Sequence, residues 1–207
     1  NEYRASWKMA GFPLAQRLRD KGHNWSDLRQ LIPGIISQGL MGYAYTCPDM
    51  IGGGLRASFI NDAIIDEELI VRSAQVHALM PMMQFSVAPW RVLSKENDAI
   101  CKSMAILHNS MGDLFIDLAL QSSRTGEPII RPIAYNYPGK GYETIQDQFM
   151  LGEKILIAPV VEKGARSRRI VLPAGRWEGD DGSSIRGPAE LDINVPIDRL
   201  PYYTRIK

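Results

Sequence analysis

Apolar residues recur at helical spacing from Trp25 through Leu28, Leu31, Ile32 and Ile35 to Ile36, which predicts one amphipathic helix. Asn24 precedes it, and its side-chain oxygen is suited to accept from an early backbone N–H. Pro33 and Gly34 are expected to kink or interrupt that helix. Gly39 to Tyr45 reads as a helix exit followed by a strand, and a turn-rich Pro-Asp-Met-Ile-Gly-Gly-Gly segment begins at Pro48. Asp66-Glu67-Glu68 places acids where the positive end of a second helix would lie. Leu69, Val71, Ala74, Val76 and Ala78 would form its apolar side. Met80 to Ser86 reads as a short strand. Asp98 to Ser123 predicts one long helix whose buried side carries Ile100, Met104, Leu107, Met111, Leu114, Ile116 and Leu118. Upstream of all this, residues 1–5 read as the end of a buried strand and residues 6–24 as a long loop.

The pattern changes near Gly126. Short strand-like runs follow at Ile129–Ile133, Ile155–Val161, Arg169–Leu172, Leu191–Val195 and Tyr202–Ile206, with turn residues between them, among them Pro173-Ala174-Gly175 and Asp180-Asp181-Gly182. Strands alternating with helices in residues 1–125 predict an α/β arrangement of parallel β/α units. Residues 126–207 predict an all-β, sandwich-like domain.

Composition narrows the partners. With 45% hydrophobic residues, 23% charged residues and a net charge of +1, nothing points to nucleic acid or an anionic membrane. No apolar run approaches the roughly 18 residues of a spanning helix. Cys47 and Cys101 are too sparse for a disulfide framework and lack zinc spacing, so they leave the compartment open. No His/Asp cluster has metal spacing, and no cofactor is implied. The start, Asn-Glu-Tyr-Arg-Ala-Ser-Trp, reads like the middle of a gene product, with neither a start Met nor a signal peptide.

If the β/α units belong to a (β/α)8 barrel, functional groups sit at the C-terminal ends of its strands. Arg4, Asp20, Asp49 and the Gln84-Phe85-Ser86 stretch fall there. A carboxylate, a guanidinium and nearby aromatics suit a sugar: carboxylates exchange protons with glycosidic oxygens, and aromatic faces stack on ring C–H bonds. The residues alone leave this open, because a loop Asp is more often a turn or cap residue. Pro48-Asp49 before Gly52-Gly53 is also a good turn, and Arg4 is equally suited to a structural ion pair. Gln84 and Trp90 are pocket candidates that serve equally well as framework. His23 is read as facing water, and His77 and His108 as structural. Asn24-Trp25-Ser26 matches the N-glycosylation triplet but lies where a glycan would block the cleft, so it is read as chance.

The order Arg4, Asp20, Trp25, Ile32-Pro33, Gly42, Pro48-Asp49, Gly52-Gly53 resembles the second half of the catalytic barrel of glycoside hydrolase family 31. The resemblance continues through Gly126-Glu127-Pro128-Ile129-Ile130-Arg131-Pro132, Gln148-Phe149-Met150-Leu151-Gly152, Leu172-Pro173-Ala174-Gly175-Arg176-Trp177 and Pro196-Ile197-Asp198-Arg199-Leu200-Pro201-Tyr202. Within the family the chain looks most like the myogenesis-regulating glycosidase branch. It shares Asp20-Lys21 with Trp25 five positions after the Asp, the Pro48-to-Gly53 run and the Met80-to-Trp90 run.

That resemblance implies a retaining α-glycosidase acting on an oligosaccharide or glycoside of α-galactoside or α-glucoside type. Asp20 aligns with the acid/base and Arg4 with a substrate-binding arginine. The nucleophilic carboxylate lies on an earlier barrel strand, so these residues are expected to need the N-terminal half of the barrel, to be inactive alone and to be unstable without it. Two departures bear on the sugar. Arg17 stands where common α-glucosidases carry Trp, and Gln84-Phe85-Ser86 stands where they carry an Arg-x-His segment. Arg17, Asp49, Gln84 and Trp90 are therefore candidate sugar contacts beside Arg4, and Arg17 admits an anionic sugar. The competing reading is a non-catalytic carbohydrate-binding or scaffold protein built on the same fold.

Overall fold

The computed structural model describes residues 15–53 and 64–206. The expected first strand over residues 1–5 lies outside them. Strand β1 (Ala15–Arg17) pairs in parallel with β2 (Tyr45–Cys47), Ala15 opposite Tyr45 and Arg17 opposite Cys47. Beyond β2, Ile51 forms a parallel bridge with Phe85. Its N–H donates to Gln84 O at 2.7 Å, and Ser86 N donates to Ile51 O at 3.0 Å. The run over residues 80–86 thus reaches the sheet only at this bridge. The three passes run side by side in one direction, each separated from the next by a helix.

Helix α1 (Trp25–Leu40) joins the first two passes. Asn24 Oδ1 accepts from Asp27 N at 2.8 Å, the cap that its position predicts. Leu28, Leu31, Ile32 and Ile35 are buried, each contributing about 1.5–3 kcal/mol. That burial carries the helix through Pro33 without the expected interruption. Near its C-terminal end the helix packs closely on the segment that enters the second part of the chain. A Cβ on Gly39 would lie 3.0 Å from Pro128 Cβ and 3.2 Å from Ile130 O.

Helix α2 (Glu67–Ala78) is capped by Asp66, whose carboxylate accepts from Leu69 N at 3.2 Å. It differs from the amphipathic expectation, since every residue from Leu69 to Ala78 is buried, including Arg72, Ser73, Gln75 and His77. Its polar side chains bond across the fold, although Arg72 Nε is buried without a partner. Arg72 donates to Ala165 O at 3.1 Å and Val195 O at 3.2 Å, and Gln75 Nε2 donates to Ile197 O at 2.7 Å. After the short α3 (Pro89–Val92), the expected single long helix is two: α4 (Lys95–Ser110) and α5 (Gly112–Thr125). Met111 closes the first and opens the second, and Gly112, a poor helix former, stands at the break. Met104 and Leu118 are buried as expected, whereas Ile116 is exposed. Gly126, at φ 76°, ends α5 with its N–H on Ser122 O at 2.8 Å, a left-handed cap suited to glycine.

The remaining elements are β3 (Ile130–Arg131), α6 (Ile133–Asn136), β4 (Phe149–Leu151), β5 (Ile155–Ile157), β6 (Ser167–Gly179), β7 (Ser184–Asn194) and β8 (Tyr202–Arg205). They form one antiparallel sheet in the order β3-β4-β5-β8-β6-β7, in place of the two facing sheets of a sandwich. Alternation divides the short strands between two cores. Phe149, Leu151, Ile155 and Ile157 join the helices in one cluster. Met150 and Leu156 join Ile170, Leu172, Trp177 and Tyr203 in the other. The first cluster is continuous from α1 to β5, so one core crosses the expected boundary at residue 126. Pro173-Ala174-Gly175, expected as a turn between strands, is a bulge inside β6. A Cβ on Gly187 opposite it would sit 1.9 Å from Pro173 O.

Candidate active site

The β1 strand ends at Arg17, and one further backbone bond, from Leu18 N to Cys47 O at 2.9 Å, precedes the loop to α1. Asp20 therefore stands just past the C-terminal end of a parallel strand. The loop after β2 crosses beside it. A Cβ on Gly53, at φ 90°, would lie 2.9 Å from Lys21 O, so only glycine allows the two loops this approach.

Asp49, in that second loop, organises both. Its Oδ1 accepts from Arg17 Nη1 at 2.6 Å and its Oδ2 from Lys21 N at 2.9 Å. Arg17 Nη2 in turn donates to Asp20 Oδ1 at 2.5 Å. Side-chain exposure falls from 52% at Asp20 through 34% at Arg17 to 0% at Asp49. One carboxylate thus faces solvent, tied through a guanidinium to a second that is sealed. Burial works against the Arg17 charge, but Asp20 and Asp49 outweigh it and raise its pKa. Asp49 has φ 71°, a left-handed conformation that Asp and Asn tolerate better than most side chains.

Beneath Asp20 the next side chain points inward. Lys21 is 6% exposed, with Nζ 3.4 Å from Ser73 Oγ and 3.3 Å from His77 Nε2. Burial lowers its pKa to about 8, opposed chiefly by Asp49. His77 is held well below its ordinary pKa by burial first and by the Lys21 charge second, so its ring is neutral. Its Nδ1 lies 2.6 Å from Ser73 O and its Nε2 3.1 Å from Asp49 O; the neutral ring has one proton, and with it on the shorter contact at Nδ1, Nε2 faces the Lys21 ammonium as an acceptor. Cys47 Sγ donates to Asp49 O at 3.6 Å, and burial raises its pKa.

The expected site residues fare unequally. Asp20 is an accessible carboxylate at a strand end. Arg17 and Asp49, expected as sugar contacts, are engaged with carboxylate and backbone partners, and Asp49 has no exposed surface. The two carboxylates on Arg17 also remove the basis for an anionic sugar. Gln84 is exposed and enters the frame through its backbone carbonyl on Ile51 N. Trp90, in α3, is 73% exposed. Arg4 lies outside the described residues. His23, expected to face water, is half-buried, and burial lowers its pKa. Trp25 Nε1 donates to Asp66 Oδ2 at 3.0 Å, so it braces the start of α2. Lys21, Ser73 and His77 were not expected at the site. Among the described residues no group of three or more His, Cys, Asp or Glu is placed to hold a metal ion, and no helix is long and apolar enough to cross a membrane.

Residues 126–206 match the model of the glycosyl hydrolase family 31 C-terminal domain. That match covers β3 to β8, the sheet-forming part of the chain. Along 98% of its length it is 36% identical to the myogenesis-regulating glycosidase of Mus musculus, spanning 30% of that protein. It is 33% identical, over 86% of its length, to the SITS-binding protein of Tetronarce californica, spanning 25% of it. Other similar proteins are α-glucosidases, such as the neutral α-glucosidase AB of Mus musculus at 28% identity. A family 31 α-xylosidase from a soil metagenome, complexed with xylose, superposes with a TM-score of 0.82 at 24% identity, over 92% of this chain and 32% of that one. The chain therefore spans about a third or less of these relatives, and the likeness covers both the helical part and the sheet.

Proposed function

We propose that the chain is the acid/base-bearing part of a retaining α-glycosidase. In this reading residues 1–125 are the C-terminal half of a (β/α)8 barrel and residues 126–207 the β-domain that follows. The parallel passes at β1, β2 and Phe85, each followed by a helix, support it. The position of Asp20 past the end of β1 agrees with where such barrels place their chemistry.

The observation that carries the proposal is the arrangement of Asp20, Arg17 and Asp49. Asp20 keeps one oxygen clear of the ion pair and stands half-exposed. In the first step it donates a proton to the leaving glycosidic oxygen. In the second it takes a proton from the water that releases the sugar. Arg17 and Asp49 hold it in place and do not touch the sugar. A second carboxylate, roughly 5–5.5 Å away, must attack the anomeric carbon. Asp49 is unsuited to that role, being sealed and doubly bonded. The family resemblance puts the nucleophile on an earlier barrel strand, outside these residues, and in this reading the chain alone does not turn over. Gln84 and Trp90 are assigned to the sugar subsite, and Arg4 is assigned to sugar binding on the family resemblance alone. The substrate is an α-galactoside or α-glucoside, and the departures at Arg17 and Gln84-Phe85-Ser86 from the common α-glucosidase pattern favour the former by the branch resemblance.

The test is hydrolysis of p-nitrophenyl α-glucoside, α-galactoside, α-xyloside and α-sulfoquinovoside by the protein at its full natural length, with Asp20→Asn beside it. The proposal expects cleavage of the galactoside or the glucoside and a loss of about 100-fold or more in the variant. Sugar binding without cleavage of any substrate would replace the enzyme by a carbohydrate-binding protein.

A further inference from the structure

We infer that Lys21 is a positioning residue for the acid/base: its buried ammonium fastens the Asp20 loop to helix α2, so that Asp20 meets the leaving oxygen at the right place. This rests on the reading of Asp20 as the acid/base.

The geometry is specific. Asp20 and Lys21 are neighbours whose side chains leave the loop in opposite directions, one into solvent and one into the core. The peptide N–H of Lys21 is bound to Asp49 Oδ2 at 2.9 Å, the same carboxylate that holds Arg17. The Lys21 ammonium reaches Ser73 Oγ and His77 Nε2, both on α2. Asp20 is therefore held from two sides. Arg17 fixes its carboxylate, and the Lys21 strut fixes the backbone that carries it. The charged groups around the ammonium are Asp49 from the loop after β2 and Asp27 from α1, with the neutral thiol of Cys47 from β2 and neutral His77 from α2. Only Asp49 is both buried and fully engaged in the same loop contact. With its pKa near 8, Lys21 is still mostly an ammonium at neutral pH, the form in which it donates to both α2 partners. A lysine is costly to bury, and a merely space-filling role would be served by Met or Leu. The α2 acceptors are what this position uses.

A misplaced general acid has a signature that general loss of structure lacks. Poor leaving groups need the proton and activated ones do not. The experiment is Lys21→Met in the protein at its full natural length, assayed with a methyl α-glycoside and a 2,4-dinitrophenyl α-glycoside of the preferred sugar. Wild-type and Asp20→Asn enzymes serve as references. In the glycosylation step, read as kcat/KM, the methyl glycoside should lose about 100-fold and the dinitrophenyl glycoside less than about 3-fold. Ser73→Ala, which removes one acceptor and leaves the core filled, should show the same pattern at about 5-fold, and it decides the matter if Lys21→Met does not fold. Equal losses on both substrates, or none, would overturn the inference while wild-type activity and its dependence on Asp20 stand. If the wild-type enzyme cleaves nothing, it is the glycosidase reading that fails.

Discussion

Arg17 and Asp49 form an ion pair at 2.6 Å in which the carboxylate is fully buried and the guanidinium is one-third exposed. A buried charge is tolerated only when paired and hydrogen-bonded, and here Lys21 N supplies the second bond. Asp49→Asn keeps the shape and suits the left-handed backbone, but its uncharged amide has one oxygen to accept from Arg17 Nη1 or Lys21 N where the carboxylate serves both. Asp49→Gly suits that backbone better still and removes the acceptor altogether. Both variants should lose about 3 kcal/mol of stability in urea unfolding. A stable Asp49→Gly protein would show that backbone conformation, and not the carboxylate, is what position 49 supplies.

Lys21 makes stability depend on pH with a defined sign. Its pKa is about 8 in the folded chain, against an ordinary value of 10.5. Below pH 8 both states hold the proton, and the folded state bears the whole cost of burying it. Between pH 8 and 10.5 only the unfolded chain holds it, so stability rises with pH at up to about 1.4 kcal/mol per unit. The full gain is roughly 3 kcal/mol, reached above pH 10.5. Lys21→Met should lack this rise. Parallel stability curves for the two proteins from pH 7 to 10.5, followed by chemical denaturation, would contradict the assignment.

Arg72 is the bolt between the helices and the sheet. Its guanidinium serves the carbonyls of Ala165, Val195, Pro196 and Arg199 as well as the Gln75 side chain. Arg72→Leu fills the space but leaves buried carbonyls without donors, at a cost of about 1–3 kcal/mol for each that water cannot reach. The variant should unfold at least 3 kcal/mol more easily, with tryptophan fluorescence and far-UV dichroism separating into two transitions. A single unshifted transition would remove this role from Arg72.

How much the sequence revealed depends on the range of each interaction. The Asn24 cap, the Asp66 cap and the left-handed Gly126 are local and were legible within a few residues. So were most of the sheet's strands, though the hydrophobic run Phe149–Leu151 was too short to stand out. Burial of α2 on every side was hidden, because Arg72 and Gln75 find partners some 90 to 130 residues away. The break at Met111 was masked by an apolar rhythm that continues across it. At the candidate site, Asp20 was singled out by its motif. The role of Asp49 could not be told apart from a turn, and Lys21 meets His77 across 56 positions. No periodicity encodes such a contact.

The bulge in β6 offers a check on the sheet. Gly187→Ala would put a methyl group 1.9 Å from Pro173 O, the carbonyl that also accepts from Trp177 Nε1 at 2.9 Å. Overpacking of this kind costs about 3 kcal/mol or more. The variant should show a lowered melting temperature and altered tryptophan fluorescence. Unchanged values would mean that the hairpin register differs from the one described.

The role of Asp20 is tested most directly by chemical rescue of Asp20→Ala in the protein at its full natural length. The substrate is an activated aryl α-glycoside, azide is added, and the product is identified by NMR. An acid/base variant still forms the glycosyl-enzyme, and azide enters from the α face that Asp20 has vacated. The account predicts faster turnover with azide and an α-glycosyl azide as product. A β-glycosyl azide would make Asp20 the nucleophile, and undiminished hydrolysis without azide would remove it from the chemistry.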